Sequence, residues 1–256
     1  MSAPVAPPWI ALDEVDSTNL ELRRRCDRER LASGTVLTAD RQTAGRGRLG
    51  RSWFSPPRVG LYMSVLLRPR GAADLAPRHT LGGALAVCEA CRELCAVPAT
   101  IKWPNDVLHG GRKLAGVLAE LRAAVRGGPS ELILGIGINV DQVETDFPED
   151  LRARAISLRL AAAGAQIDRM ALAHDVARRV ANAANAIDGG RWPEIVDRYT
   201  ALAPAIRGSR VRVRLADGSS RSGTAAGIGT RGALRVELDD GSHTELHAGE
   251  AVEFAD

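Results

Sequence analysis

The sequence predicts an α+β fold: a mixed β-sheet flanked by helices, followed by a small barrel-like β domain. Three observations predict it. Up to about residue 203, β-type runs and amphipathic helical stretches follow one another. After Pro204 the texture changes to short alternating runs separated by "ADGS", "GTRG" and "DDGS", the pattern of antiparallel strands joined by tight turns. Hydrophobic residues make up 45% of the 256, enough for one large core, or for a large and a small one.

The elements follow in order. Residues 1–11 read as a short, proline-containing lead. "STNLELRRRCDRER" then supplies Ser17 or Thr18 as a helix cap and Glu21 in the first turn, so a helix runs to about Arg30. "GTVLTAD" (34–40) is a short strand. "TAGRGRLGRSW" is glycine-rich and polar, a loop. "GLYMSVLLRP" (60–69) is an apolar strand closed by Pro69. Residues 75–96 form an amphipathic helix. "ATIKWPNDV" is a strand entering a turn at its proline, and "RKLAGVLAEL" (112–121) and "SELILGIGINV" (130–140) are two more strands. Residues 141–167 are turn-rich. Helices follow at 167–187, capped by Asp168, and at 191–203.

Composition excludes several classes. A net charge of +3 with no long basic block does not call for nucleic acid. No stretch approaches the roughly 18 apolar residues of a membrane helix, and the N-terminus lacks a signal-peptide pattern. The expectation is a cytoplasmic protein with no membrane partner. Of the four cysteines, Cys88, Cys91 and Cys95 fall on one face of a helical stretch, which reads as small buried hydrophobes rather than as metal ligands or disulfides.

The chain holds 34 Lys plus Arg, yet only two are lysine, Lys102 and Lys113, eleven residues apart. Lysine is a compact point charge, whereas arginine is a wide planar fork. Two retained lysines in one stretch suit sites that address a single phosphate or carboxylate oxygen. "KWPNDV" (102–107) joins the first to an aromatic, a rigid proline, an amide and a carboxylate. Asp106 suits Mg²⁺ held together with a nucleotide phosphate. A hairpin across the Gly-Gly pair before "RKLAG" would bring Lys102, Asp106 and Lys113 together. "AGRGRLGR" (44–51) combines glycines, which let backbone approach a ligand, with arginine forks for anions. It lacks the Walker spacing, and no helix follows it as a dinucleotide fold requires. "GIGINV" leaves Asn139 at a strand end, and "VDSTN" (15–19) gathers two hydroxyls and an amide suited to a neutral polar ligand such as a ureido ring.

"VDSTN", "RQTAGRGRLGRSW", "KWPNDV", "RKLAGVLAEL" and "GIGINV", in that order over roughly 12–140, resemble the biotin protein ligases. The resemblance implies a class II synthetase-like catalytic domain at 1–203 and an SH3-like β-barrel at 204–256. Only about eleven residues precede "DEVDSTN", so the resemblance is to the short, ligase-only class without a DNA-binding domain.

That family converts biotin and ATP, with Mg²⁺, to biotinyl-5′-AMP, then passes biotin to a lysine of a biotin carboxyl carrier domain of an acyl-CoA carboxylase. By similarity, Ser17, Thr18, Asn19 and Gln42 would hold the ureido end of biotin. Arg46, Gly47 and Arg48 would form the loop over biotin and adenylate, with Trp53 packed on the ligand. Lys113 and Gly116 would meet biotin's carboxylate and the α-phosphate. Arg51, Lys102, Asn105 and Asp106 would face the ATP phosphates and Mg²⁺, and Asn139 the adenine. Lys113, Arg48 and Lys102 would be the catalytic cations. The expected assembly is a monomer or homodimer that binds no nucleic acid. The segment "ARAISL" (153–158) departs from the family's usual "ATSL"-like stretch. The nearest rival is a lipoate–protein ligase, whose motifs differ. A nucleic-acid module fits poorly, because Phe254 is the one aromatic of 204–256 and no stacking platform exists.

Overall fold

The structure is a computed structural model that describes residues 8–70, 76–122, 130–214, 219–247 and 252–254. The first part comprises β1 (Trp9–Val15), α1 (Thr18–Arg28), β2 (Val36–Gln42), β3 (Gly60–Leu67), α2 (Ala76–Glu93), β4 (Thr100–Lys102), β5 (Asp106–His109), β6 (Arg112–Arg122) and β7 (Glu131–Asn139). Its seven strands form one sheet in the order β1-β2-β3-β7-β6-β5-β4. β1 and β2 run parallel, with α1 as the crossover that parallel neighbours need. Every other neighbouring pair is antiparallel.

The two faces of the sheet differ. One carries the main core, where Val65, Val117, Leu134 and Ile136 pack with α2 residues such as Leu81 and Leu85. Outside α2 lies α5 (Arg169–Asp188), which follows the short helices α3 (Glu149–Arg152) and α4 (Leu158–Ala161) and contributes Leu172, Val176 and Val180 to the same core. On the opposite face α1 buries Leu22 against Leu37, Leu66 and Ile133. α1 covers only part of that face.

α6 (Trp192–Leu202) completes the helical layer. Glu89 of α2 is buried and accepts hydrogen bonds from Arg198 of α6 (2.6–3.0 Å) and from Arg179 of α5 (3.4 Å). Removing one partner of such a group strands a buried charge, so this network fixes the three helices relative to one another. Cys88, Cys91 and Cys95 are buried; all are free, and burial pushes the Cys88 thiol up to about 12. Among the described residues no cluster of metal-ligating side chains occurs, and no helix is long and apolar enough to cross a membrane.

The last elements are β8 (Arg207–Arg214), β9 (Ser220–Ile228), β10 (Leu234–Leu238), β11 (His243–Leu246) and β12 (Val252–Phe254), in the order β11-β10-β9-β8-β12. The expected barrel is corrected here. Among the described residues no ladder joins β11 to β12, so the sheet is open. These edge strands have only four and three residues. The apolar side chains Val211, Val213, Ala225 and Leu234 instead join the core of the first part, along with Tyr199 and Ile206. The "GTRG" and "DDGS" turns lie where expected, at 229–232 and 239–242. The "ADGS" turn lies outside the described residues, apart from Ser219.

The Asp168 carboxylate accepts from Met170 N (2.9 Å) and Ala171 N (3.0 Å), satisfying two otherwise unpaired donors of α5. Asp168→Ala should lower unfolding free energy by about 1 kcal/mol. Urea titration would show this as a lower midpoint at unchanged slope.

Candidate functional site

The site begins as a pair of hairpins. In the β4–β5 ladder Lys102 lies opposite Asp106, and the turn between them holds Trp103, Pro104 and Asn105, with the Trp103–Pro104 bond cis. From β5 the chain turns through Gly110 and Gly111, both at positive φ, into β6. The turn returns Lys113 to its partner: its Nζ lies 2.7 Å from Asp106 Oδ1. Lys113 is also fixed through its backbone. Its N–H donates to Arg154 O, its carbonyl accepts from Ile156 N, and Asn139 Nδ2 adds a bond to the same carbonyl.

The floor is bare backbone. Gly116 of β6 and Gly137 of β7 are direct partners across the ladder. The Trp53 indole lies on them. A Cβ at Gly137 would come within 2.5 Å of Trp53 Nε1 and Cε2, and one at Gly116 within 3.1 Å of its ring. A Cβ at Gly135 would meet Asn19 Oδ1 at 2.4 Å. Lys113 Nζ sits 5.4 Å from the Trp53 ring centroid, within cation–π range. Trp53 Nε1 is buried without a hydrogen-bond partner.

Over this floor folds the 45–52 stretch, closed by Trp53 N to Gly45 O (2.8 Å) and Gly47 N to Arg51 O (2.7 Å). Two of its side chains reach the sheet: Arg46 pairs with Glu120 (2.9 Å) and Arg48 donates to Asn105 Oδ1 (2.5 Å). Asn105 is held in turn by Val117 O. Burial pulls the Arg48 guanidinium below the usual arginine value, and the nearby Asp106 carboxylate opposes that shift.

At the far end sit four polar side chains. Gln42 Oε1 accepts from Thr18 N (2.9 Å) and Thr18 Oγ1 (3.2 Å), while Gln42 Nε2 donates to Ser55. Asn19 Nδ2 donates to Glu120 Oε2 (2.8 Å), and its Oδ1 accepts from Ser64 Oγ (2.6 Å). Among the described residues Ser17 Oγ has no partner, and it does not cap α1. Counting what remains, Ser17 offers a free hydroxyl donor, and Thr18 Oγ1 and Asn19 Oδ1 each keep an acceptor lone pair.

These groups line one cavity of about 420 Å³. It brings together Ser17, Thr18, Asn19, Gln42, Arg46, Gly47, Arg48, Arg51, Trp53, Lys102, Asn105, Asp106, Lys113 and Gly116. Asn139 stands apart. It is 5% exposed and does not line the cavity, and its amide nitrogen is committed to Lys113 O and Ile156 O. Of the cations, Lys102 and Arg51 are exposed and, among the described residues, without ion pairs, so the end near the "KWPND" turn carries positive charge that these residues do not compensate. Sequence reasoning missed Ser64, Glu120, Trp103, Gly135, Gly137 and Glu253. Glu253, from β12, reaches the cavity rim. A usable signal existed for Glu120: period two places it on the face of Gly116 and Leu118.

Comparison with known proteins agrees with this arrangement. Residues 12–139 match the biotin/lipoate A/B protein ligase family, and residues 207–252 match the biotin protein ligase C-terminal domain. The biotin–[acetyl-CoA-carboxylase] ligase of Mycobacterium tuberculosis is 36% identical over 95% of this chain and 89% of its own length. The bifunctional ligase/repressor BirA of Bacillus subtilis is also 36% identical, over 81% of this chain. The match spans 63% of that relative, under two thirds of its length. A biotin protein ligase from Aquifex aeolicus, solved in complex with biotin and ATP, superposes with a TM-score of 0.81 at 32% identity, over 97% of this chain and 99% of that one.

The floor makes a test that needs no ligand. Gly137→Ala should lift the Trp53 indole and shift its emission to the red. In a Trp53→Phe background the same substitution should leave the spectrum unchanged; a shift that persists there would mean the floor does not seat this indole.

Proposed function

The chain belongs to the biotin/lipoate A/B protein ligase family, and from that premise we propose that it is an ATP-dependent biotin–protein ligase. Biotin's carboxylate oxygen attacks the α-phosphorus of ATP, giving biotinyl-5′-AMP and releasing pyrophosphate. The amine of a carrier-domain lysine then attacks the acyl carbon, forming the amide and releasing AMP, with no covalent enzyme intermediate. The family alone leaves biotin and lipoate open. The observation that carries biotin is the polar end of the cavity. A ureido ring presents one carbonyl acceptor and two N–H donors, and the free groups there are one donor, Ser17 Oγ, and two acceptors, Thr18 Oγ1 and Asn19 Oδ1. A dithiolane ring offers nothing to satisfy them, and unpaired buried polar groups disfavour such a ligand.

The remaining roles follow from position. The cavity bordered by Trp53 and the glycine floor takes the apolar ring body and chain. Lys113 stands near Gly116, within reach of a carboxylate lying along that floor. Biotin's carboxylate and ATP repel one another; Lys113, Arg48 and Lys102 offset that repulsion and stabilise charge growing on the phosphoryl oxygens. Arg51 and Asn105 add contacts to the polyphosphate, and Gln42, Arg46 and Gly47 frame biotin. Asn139 lies outside the cavity, so in this reading it holds the Lys113 and Ile156 carbonyls rather than meeting the adenine. Asp106 fits Mg²⁺ as the single carboxylate that this ion takes alongside substrate phosphates. When bound, the ion neutralises charge on the departing pyrophosphate. Holding both reactants in line contributes about 7–11 kcal/mol of the barrier reduction. The loop over the floor keeps water from the reactive anhydride.

Biotin should support exchange of labelled pyrophosphate into ATP, and lipoate should not. Equal exchange with lipoate would sink the biotin assignment. Lys113 is hemmed by Asp106, Trp53 and Gly116 in a space that suits an ammonium and not a fork. Lys113→Arg should therefore lower kcat/KM for exchange by roughly 10²–10³, the cost of losing one preorganised charge contact. Arg23→Lys, on the exposed face of α1, should leave it unchanged.

A further inference from the structure

We propose that Glu120 is a positioning residue that couples the arginine loop to the ureido end of the site, an inference that rests on the biotin reading above. Glu120 is not part of the cavity lining. Its two carboxylate oxygens serve two elements. Oε1 pairs with Arg46 Nη1 at 2.9 Å, and Oε2 accepts from Asn19 Nδ2 at 2.8 Å.

The second contact decides which way the Asn19 amide faces. A carboxylate only accepts hydrogen bonds, so it must meet the NH₂ group of Asn19. Ser64 Oγ, at 2.6 Å from Oδ1, supports the same orientation from the opposite side. The remaining lone pair of Oδ1 is thereby kept for a ligand N–H. Leu118 O takes only a long bond from the same nitrogen, at 3.4 Å, so without Glu120 the amide loses its main orienting partner and the cavity end holds one of its two acceptors less firmly.

The first contact anchors the loop. Of the 45–52 stretch only Arg46 and Arg48 reach the sheet by side-chain bonds among the described residues, and Arg48 holds the opposite end, at Asn105. Glu120 is thus the loop's anchor at the biotin end. One side chain sets ligand recognition and loop closure together, from a strand face that also carries Gly116 and Leu118.

The test uses the full chain and three variants, read by pyrophosphate exchange and by a chase that times release of preformed biotinyl-AMP. Glu120→Gln keeps one acceptor for Asn19 and loses the ion pair. It should keep the KM for biotin within about threefold while shortening adenylate retention about tenfold or more, the loss of one charge-assisted contact. Glu120→Ala should also raise the KM for biotin about tenfold, with the KM for ATP within about twofold. Ser64→Ala should raise the KM for biotin and leave retention unchanged. Unchanged retention in Glu120→Gln overturns the loop half of the proposal. An unchanged KM for biotin in Glu120→Ala, or equal rises in both KM values with a lower melting temperature, overturns the orienting half. Wild-type exchange that ignores biotin removes the functional reading itself, and is seen before any variant is made.

Discussion

The site depends on a stretch of sheet with no side chains on one face. Gly116 and Gly137 oppose each other across β6 and β7, with Gly135 one step away, and what they present is backbone amide, on which the Trp53 indole lies. Any other residue would collide with what rests there: a Cβ at Gly137 would come within 2.5 Å of Trp53, and one at Gly135 within 2.4 Å of Asn19. Such glycines weaken a strand, by roughly 0.5–1 kcal/mol each relative to alanine. The loss is met elsewhere, because β6 and β7 are central strands whose other face packs Val117, Leu134 and Ile136 under α2. The smooth floor and the dense core beneath it are two faces of the same two strands.

Charge is arranged around that floor with the same economy. Lys113 rests against Asp106 and Arg46 against Glu120, so two cations are held in place by acids of the chain itself. Arg48 is half-buried with only a neutral amide as partner, which leaves its charge poorly compensated. Lys102 and Arg51 stand exposed beside it. An anion entering this end meets several preplaced positive groups and little reorganisation, the condition under which electrostatic stabilisation is most effective. On the far side of the molecule Glu89, Arg179 and Arg198 lock α2, α5 and α6, giving the hairpins a rigid backing.

Much of this was legible in the sequence where local chemistry and tertiary structure agree. The α5 helix starts at its Asp168 cap, β6 and β7 fall within a residue or so of their apolar runs, and the Gly-Gly hairpin joins Lys113 to Asp106 as the spacing required. Legibility failed where a feature depends on distant partners. Residues 1–11 read as a lead because their mixed pattern declares no buried face; residues 9–11 instead open the edge strand Trp9–Val15, which gains its structure from pairing with β2. The open C-terminal sheet reads as a barrel because alternation reports strands, not closure. Asn139 sits at a strand end as expected, but its burial follows from the 154–156 segment, which no local signal announces. Glu120 went unseen because its two partners lie 74 and 101 positions away in sequence.

The "KWPND" turn has its back against residues far along the chain. Tyr199 of α6 donates its hydroxyl to Pro104 O at 3.2 Å, and the Trp103 indole donates to Gly232 O, also at 3.2 Å, across a separation of 129 residues. Both contacts are buried. A nascent chain that has just emitted Lys102, Asn105 and Asp106 therefore has all the groups of the cationic end but neither of the supports that aim them. The turn acquires its setting only once the β9–β10 connection has left the ribosome and folded back. The site is thus finished by a segment made 129 residues after Trp103, and a chain stalled before residue 232 holds its chemistry unassembled.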